Sequence, residues 1–160
     1  MIRIGKLTDY AFILLGQMAR AQSEVHAAAE LAARSGIALP TVSKVLKMLA
    51  RAGVVRSVRG SHGGYVLADL PERLSVARII DALEGPIALT DCAIAESHCQ
   101  QAASCGVRGH WSVINQALRA ALDAVTLADL LRPTQERREE ILIPLSALTS
   151  PQTGRAKDTE

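Results

Sequence analysis

The sequence predicts a mainly α-helical fold with one small β-hairpin, arranged as a winged helix-turn-helix that is followed by a long helix. Apolar residues make up 49% of the 160 residues but aromatic residues only 2%, which argues against a β-sandwich. Apolar side chains recur at helical spacing in several segments. A glycine-rich stretch separates two short runs with β-strand character. The length suits one compact domain or a small domain with an arm.

The first two helices are predicted from their apolar spacing and their end signals. The first covers residues 8–21, and either Thr8 or Asp9 caps its start. The second covers residues 27–34 and ends at Ser35-Gly36, where glycine suits a left-handed C-cap.

A third helix begins at Pro40 and ends near Ala52-Gly53. One face is an apolar stripe made of Val42, Val45, Leu46 and Leu49. The opposite face is polar and cationic, and it carries Ser43, Lys44, Lys47 and Arg51, with Thr41 to one side near the helix start. Two helices joined by a short turn that contains glycine form the helix-turn-helix pattern when the second helix has one apolar face and one polar, cationic face.

A β-hairpin follows the third helix. Residues 54–59 alternate and are rich in valine, residues 60–64 form a glycine-rich turn, and residues 65–67 form a second short strand. The hairpin is a wing, and it carries Arg56, Arg59, Ser61 and His62. We expect Gly63 and Gly64 to need positive φ, so valine at either position should distort the tip.

Charge is unevenly distributed along the chain. Residues 1–85 hold 11 Lys and Arg against 7 Asp and Glu, whereas residues 86–160 hold 7 against 9. No acid lies between Glu30 and Asp69, although six bases do. This basic window is typical of a surface that faces a polyanion, or of a solvated face that happens to be basic.

The second half of the chain begins with a helix over residues 75–84, capped by Ser75 and stopped by Gly85-Pro86. A long amphipathic helix is predicted over residues 111–125, and a capped turn of helix over 126–131. The wide apolar face of the helix over residues 111–125 indicates either a subunit interface or packing onto the first helix. We divide the chain into a winged helix-turn-helix domain (1–85), a cysteine loop (86–108), a dimerisation helix (109–131) and a poorly ordered tail (132–160).

The chain's three cysteines, Cys92, Cys99 and Cys105, lie within one irregular loop with the spacing C-x6-C-x5-C. Their confinement to this loop favours a shared metal site over three buried thiols. The short C-x2–4-C spacing of zinc sites is missing, and wide spacing suits an iron–sulfur cluster. The candidates for a fourth ligand are Asp9, Asp91, His98 and His110.

Several function classes are excluded. The chain has no P-loop, G-x-S-x-G, H-E-x-x-H or Rossmann glycine pattern, so we expect no enzyme activity. No run of 18 apolar residues suggests a membrane span, and the N-terminus has no signal-peptide pattern. We therefore expect a cytoplasmic protein.

Four stretches resemble the Rrf2 family of bacterial winged-helix regulators, and most closely its SUF-type iron–sulfur assembly regulators. In order along the chain they are residues 7–11, 39–47, 59–65 and 83–87. The resemblance covers about residues 1–131. It implies a homodimer with the long helix at the interface and a cluster-dependent repressor of iron–sulfur biogenesis operons.

The resemblance also assigns site residues. Cys92, Cys99 and Cys105 match the family's three ligand cysteines of a [2Fe–2S] or [4Fe–4S] cluster. Asp9 matches an acidic ligand that some members donate from the partner chain, whereas His110 lies two residues beyond the position of the histidine ligand in others.

The expected DNA contacts come from three places. The recognition helix supplies base and phosphate contacts in the major groove, the wing reaches the adjacent backbone or minor groove, and the start of the first helix adds phosphate contacts. These residues are Arg3, Lys6, Tyr10, Pro40, Thr41, Ser43, Lys44, Lys47, Arg51, Arg56, Arg59, Ser61 and His62. Two alternatives remain open: a winged-helix protein-interaction module with a structural zinc, and a metal-free thiol redox switch.

Overall fold

The computed structural model describes residues 4–60, 62–90, 105–106 and 108–133. The helices are α1 (Lys6–Ala19), α2 (Ala28–Ser35), α3 (Leu39–Arg51), α4 (Val76–Glu84), α5 (Arg108–Asp123) and α6 (Leu127–Leu131). Strands β1 (Val55–Val58) and β2 (Gly64–Leu67) form an antiparallel hairpin, and Pro71–Arg73 form one turn of 3-10 helix. The order of elements confirms the predicted winged helix-turn-helix. The expectations for Arg3, Ser61, Asp91, Cys92, His98, Cys99 and residues 134–160 fall outside the described residues.

The core lies where α1, α3 and α4 pack together. The predicted stripe of α3 is confirmed, since all four of its side chains are fully buried. α1 contributes Leu14, Leu15 and Met18, also at 0% exposure. The same cluster includes Leu31 of α2, Ile79 of α4, Leu127 of α6 and Leu74 in the segment before α4.

The start of α1 differs from the prediction. The helix begins at Lys6, and neither Thr8 nor Asp9 caps it. Thr8 is instead fully buried, and its hydroxyl donates to a carboxylate oxygen of Glu84, the last residue of α4. The same oxygen accepts from the Gly5 amide at 2.9 Å. The Gly5 amide lies at the N-terminal end of α1, where amides have no acceptor within the helix, and it therefore donates to a residue of α4.

α1 ends at Ala19, two residues earlier than predicted, whereas the predicted end signals of α2, α3, α4 and α6 are confirmed. Gly36 ends α2 in the left-handed region with φ of 70°, and Pro40 lies in the first turn of α3. Ser75 caps α4 by accepting from the Arg78 amide, and Gly85 follows α4 with φ of 87°. Thr126 starts α6 with a full capping box.

The wing is attached to the helix-turn-helix by its second strand. Val55 pairs with Leu67, and Val58 pairs with Gly64 next to the turn. The backbone of His26, in the α1–α2 connection, exchanges two hydrogen bonds of 2.9 Å with Tyr65. This pairing holds β2 against the loop before α2.

The long helix α5 extends further toward its N-terminus than predicted, starting at Arg108 instead of Trp111. It packs on α4, where Arg119 donates to Asp81 at 2.9 Å. This hydrogen bond raises the pKa of the Arg119 guanidinium. Within the described residues, no helix combines the length and hydropathy that a membrane crossing needs.

Candidate nucleic-acid interface and cysteine segment

The outward face of α3 forms a shallow groove. Pro40, Lys44, Lys47 and Arg51 are exposed there, as the helical spacing predicted. Ser43 and Met48 complete the lining. Met48 was not among the predicted contact residues, because methionine is equally typical of a core position. Thr41 is half-buried beside the groove.

The cations of α3 and the wing have no acidic partner among the residues that the structure describes. Within the described part of the chain, Lys44, Lys47, Arg51, Arg56 and Arg59 form no ion pair or side-chain hydrogen bond. Several cations elsewhere are paired: Arg34 with Glu30, Arg73 with Asp69, and Arg119 with Asp81 and Asp123. An unpaired cation can neutralise a phosphate without first breaking an ion pair, so this surface is suited to a polyanion.

The wing tip requires a correction to the predicted role of its glycines. Neither Gly63 nor Gly64 has positive φ; within the described turn, Gly60 does, at 123°. What constrains Gly63 is space, since a Cβ atom there would lie 2.7 Å from the Val58 carbonyl oxygen. A Cβ atom on Gly64 would overlap the His26 carbonyl. Valine at either position is still expected to distort the wing, but by crowding the backbone.

The remaining predicted contact residues are spread over other elements. Arg56, Arg59 and His62 are exposed on the wing. Lys6 is exposed at the start of α1, whereas Tyr10 is half-buried against the core. Neither α1 residue lines the groove on α3.

The candidate metal ligands are described only in part. Cys105 is a free, half-buried thiol shortly before α5, and His110 is exposed in the first turn of that helix. Asp9 is exposed on α1, and its carboxylate has no hydrogen bond or ion pair to a described residue. The described residues of one chain contain no group of three potential ligand side chains. Three thiolates with one carboxylate or imidazole fit an iron–sulfur cluster. Among the described residues, the Cys105 thiol forms no disulfide and the Asp9 carboxylate has no hydrogen-bond or ion-pair partner.

The segment that leads toward the cysteines is held by α5 and α4. Asn115 on α5 donates from Nδ2 to the Ile87 carbonyl at 3.2 Å, and its Oδ1 accepts from the Leu89 amide at 3.1 Å. Asp81 on α4 accepts from the Ile87 amide at 3.1 Å. Sequence reasoning missed Asn115, because a single amide on an amphipathic helix carries no pattern of its own.

Comparison with known proteins decides the family. The model of the Rrf2 family, described as an iron-dependent transcriptional regulator, matches residues 4–133. The chain belongs to the Rrf2 family of transcriptional regulators. It is therefore a DNA-binding transcription regulator and not an enzyme.

Individual relatives agree with this assignment. The chain is 35% identical to Protein rrf2 of Nitratidesulfovibrio vulgaris over 103 residues, which are 64% of this chain and 69% of that protein. It is 33% identical to the transcriptional repressor NsrR of Streptomyces coelicolor over 132 residues, which are 81% and 88%. The structure of CymR, the global cysteine regulator of B. subtilis, superposes with a TM-score of 0.63 at 27% identity and covers 82% of this chain and 97% of that one.

Proposed function

We propose that this Rrf2-family chain is a homodimeric, iron–sulfur-cluster-sensing repressor of an operon for iron–sulfur cluster assembly, of the SUF type. The observation that carries the proposal is the cysteine segment. All three cysteines of the chain lie between the winged helix and α5, and the described one, Cys105, is an unpaired thiol. The family is described as iron-dependent, which is consistent with a metal site in this segment.

In the DNA-bound state α3 lies in the major groove, with its unpaired lysines on base edges or phosphates. The wing follows the adjacent backbone or minor groove, and the start of α1 adds phosphate contacts. The contacting residues are those predicted from the sequence: Arg3, Lys6, Tyr10, Pro40, Thr41, Ser43, Lys44, Lys47, Arg51, Arg56, Arg59, Ser61 and His62.

The homodimer forms through α5. Val113 is 61% exposed and Ile114 is 47% exposed, and Trp111 is exposed one turn before them. Side chains of this size are normally covered in a soluble protein, and a second copy of α5 offers a matching surface. A two-fold dimer would place two recognition helices on two half-sites of one operator.

The cluster, [2Fe–2S] or [4Fe–4S], would be held by Cys92, Cys99 and Cys105. Asp9 of the partner subunit is our preferred fourth ligand, and His110 is the alternative. When bound, the cluster supplies a group that iron scarcity, oxidants or nitric oxide can remove. The protein's own residues fix the backbone that leads into the cysteine segment. Asp81 accepts from the Ile87 amide, and Asn115 donates to the Ile87 carbonyl.

The first test is the visible spectrum of the protein purified without oxygen. We expect a brown protein with sulfur-to-iron bands, and bleaching when any one cysteine is replaced by serine, because each substitution removes one thiolate. The helical circular dichroism should be retained, since the described core contains no cysteine. A colourless wild-type protein that still binds DNA would refute cluster sensing and leave the family assignment intact.

The fourth ligand is tested by Asp9→Ala beside His110→Ala, with Glu72→Ala and His62→Ala as matched exposed controls. We expect Asp9→Ala alone to change the anaerobic absorption and resonance spectra. A change in His110→Ala with a native spectrum in Asp9→Ala would overturn the preference for Asp9.

A metal-free thiol switch is the second candidate. The structural similarity to CymR of Staphylococcus aureus, whose structure has been determined in an oxidized form, favours it. It predicts a colourless protein whose DNA affinity changes on reversible disulfide formation. The structural-zinc alternative predicts a colourless protein with stoichiometric zinc.

A further inference from the structure

A continuous hydrogen-bonded path connects α5 to the end of the recognition helix through the start of α4. Asp123, the last residue of α5, accepts from the Ser75 hydroxyl at 3.1 Å. The same hydroxyl oxygen accepts from the Arg78 amide at 3.2 Å. The Arg78 guanidinium in turn donates from Nη2 to the Gly53 carbonyl at 2.9 Å.

The α5 end of this path is reinforced by backbone hydrogen bonds. The Val76 amide donates to the Val125 carbonyl at 2.8 Å, and the Leu127 amide donates to the Leu74 carbonyl at 2.8 Å. These bonds fix the start of α4 against the α5–α6 connection. Arg78 extends that fixed point toward α3.

The other end of the path is Gly53, in the connection between α3 and the wing. Gly53 lies between the end of α3 and β1 and has φ of 68°. The Gly53 carbonyl lies just beyond the C-terminal end of α3, where a nearby cation is favourable. The Arg78 side chain supplies both a donor and a positive charge there.

We propose that Arg78 is a positioning residue for DNA binding. Through Gly53 it sets the angle between α3 and the wing, so that both surfaces meet one DNA duplex together. We assign it no direct DNA contact, because its guanidinium donates to the Gly53 carbonyl within the chain, and the salt dependence below tests for a phosphate contact. This distinguishes Arg78 from Lys44 and Arg56, whose charges are unpaired among the described residues. The proposal rests on DNA binding by the family and not on the cluster.

The test compares Arg78→Met with Arg56→Met, the same chemical change on β1. The probe is a duplex selected by the wild-type protein from a random-sequence library, and a random duplex reports non-specific binding. We expect Arg78→Met to weaken binding to the selected duplex by about tenfold, with non-specific affinity and the salt dependence unchanged. Arg56→Met should weaken binding to both duplexes and flatten the salt dependence by about one unit, because it removes a phosphate contact.

Two results would overturn the proposal: unchanged affinity of folded Arg78→Met for the selected duplex, or a flattening of its salt dependence equal to that of Arg56→Met. All affinities are measured below the onset of thermal unfolding, so a purely stabilising role would leave them unchanged.

If Arg78→Met does not fold, Ser75→Ala decides, since it breaks the same path without changing charge. Weaker binding to the selected duplex alone would then support the proposal, and wild-type affinity would refute it.

Discussion

The two amphipathic helices α3 and α5 differ in what covers their apolar faces. α3 buries Val42, Val45, Leu46 and Leu49 completely within its own chain and presents its polar face to solvent. α5 has no buried side chain among those described, and its Val113 and Ile114 are exposed. The two helices look alike in sequence, with apolar residues at helical spacing on both.

The two helices also differ in how they are attached. α3 is held by the burial of apolar side chains, whereas the contacts described for α5 are polar: Arg119 pairs with Asp81 of α4, and Asn115 binds the backbone of the segment after α4. A helix with a covered apolar face can offer its polar face to a ligand, as α3 does. A helix whose apolar face points outward is suited to a protein partner. The predictions below test this contrast, in order of decreasing effect.

The largest effect is expected inside α3. Leu46→Ala should lower the free energy of unfolding by about 2–5 kcal/mol, because it removes fully buried methyl groups and leaves a cavity. Urea denaturation measures it. The matched control is Leu39→Ala in the first turn of the same helix, where the side chain is 44% exposed and the loss should stay below about 1 kcal/mol. Equal losses for the two variants would contradict the covered face.

The second effect concerns the outward face of α5. Ile114→Glu should convert the proposed dimer to a monomer of 17.0 kDa at micromolar concentration, because a two-fold interface would receive the charge twice. Sedimentation velocity measures the mass, and circular dichroism should show unchanged helix content. Gln116→Glu, on an exposed polar position of α5, serves as the control and should remain dimeric. A monomeric wild-type protein would refute the assigned role of α5.

The third effect concerns the polar face of α3. Lys44→Ala or Lys47→Ala should weaken operator binding by about 1–3 kcal/mol where the lysine reads a base, and should flatten the salt dependence by about one unit where it contacts phosphate. Fluorescence anisotropy at several salt concentrations separates the two. Arg119→Ala, which removes a charge from α5, should bind as the wild type does. Unchanged affinity in both lysine variants would remove α3 from the interface.

The smallest effect is expected at the polar attachment of α5. Arg119→Ala should lower the free energy of unfolding by less than about 1 kcal/mol, because its ion pairs with Asp81 and Asp123 are solvent-accessible. Thermal unfolding at low and high salt measures it, and the difference from the wild type should shrink as salt rises. A loss as large as that of Leu46→Ala would show that α5 is held as firmly as α3.

Much of the fold could be predicted because its signals are local. The spacing of four apolar residues placed the buried face of α3, and the glycine after Ser35 predicted the left-handed end of α2. Ser75 and Thr126 start their helices because a side-chain oxygen reaches an amide only three residues ahead. The cationic face of α3 follows from the same periodicity.

Tertiary structure decided the contacts between residues far apart in the chain. Glu84 satisfies the start of α1 across 79 residues, and Arg78 reaches the Gly53 carbonyl across 25. Gly64 is restricted by the His26 carbonyl and not by its own φ. The sequence by itself determined which residues can form helices, caps and an amphipathic face, because those depend on neighbours within one turn. It did not determine which distant group meets each of them, because that depends on how the helices pack.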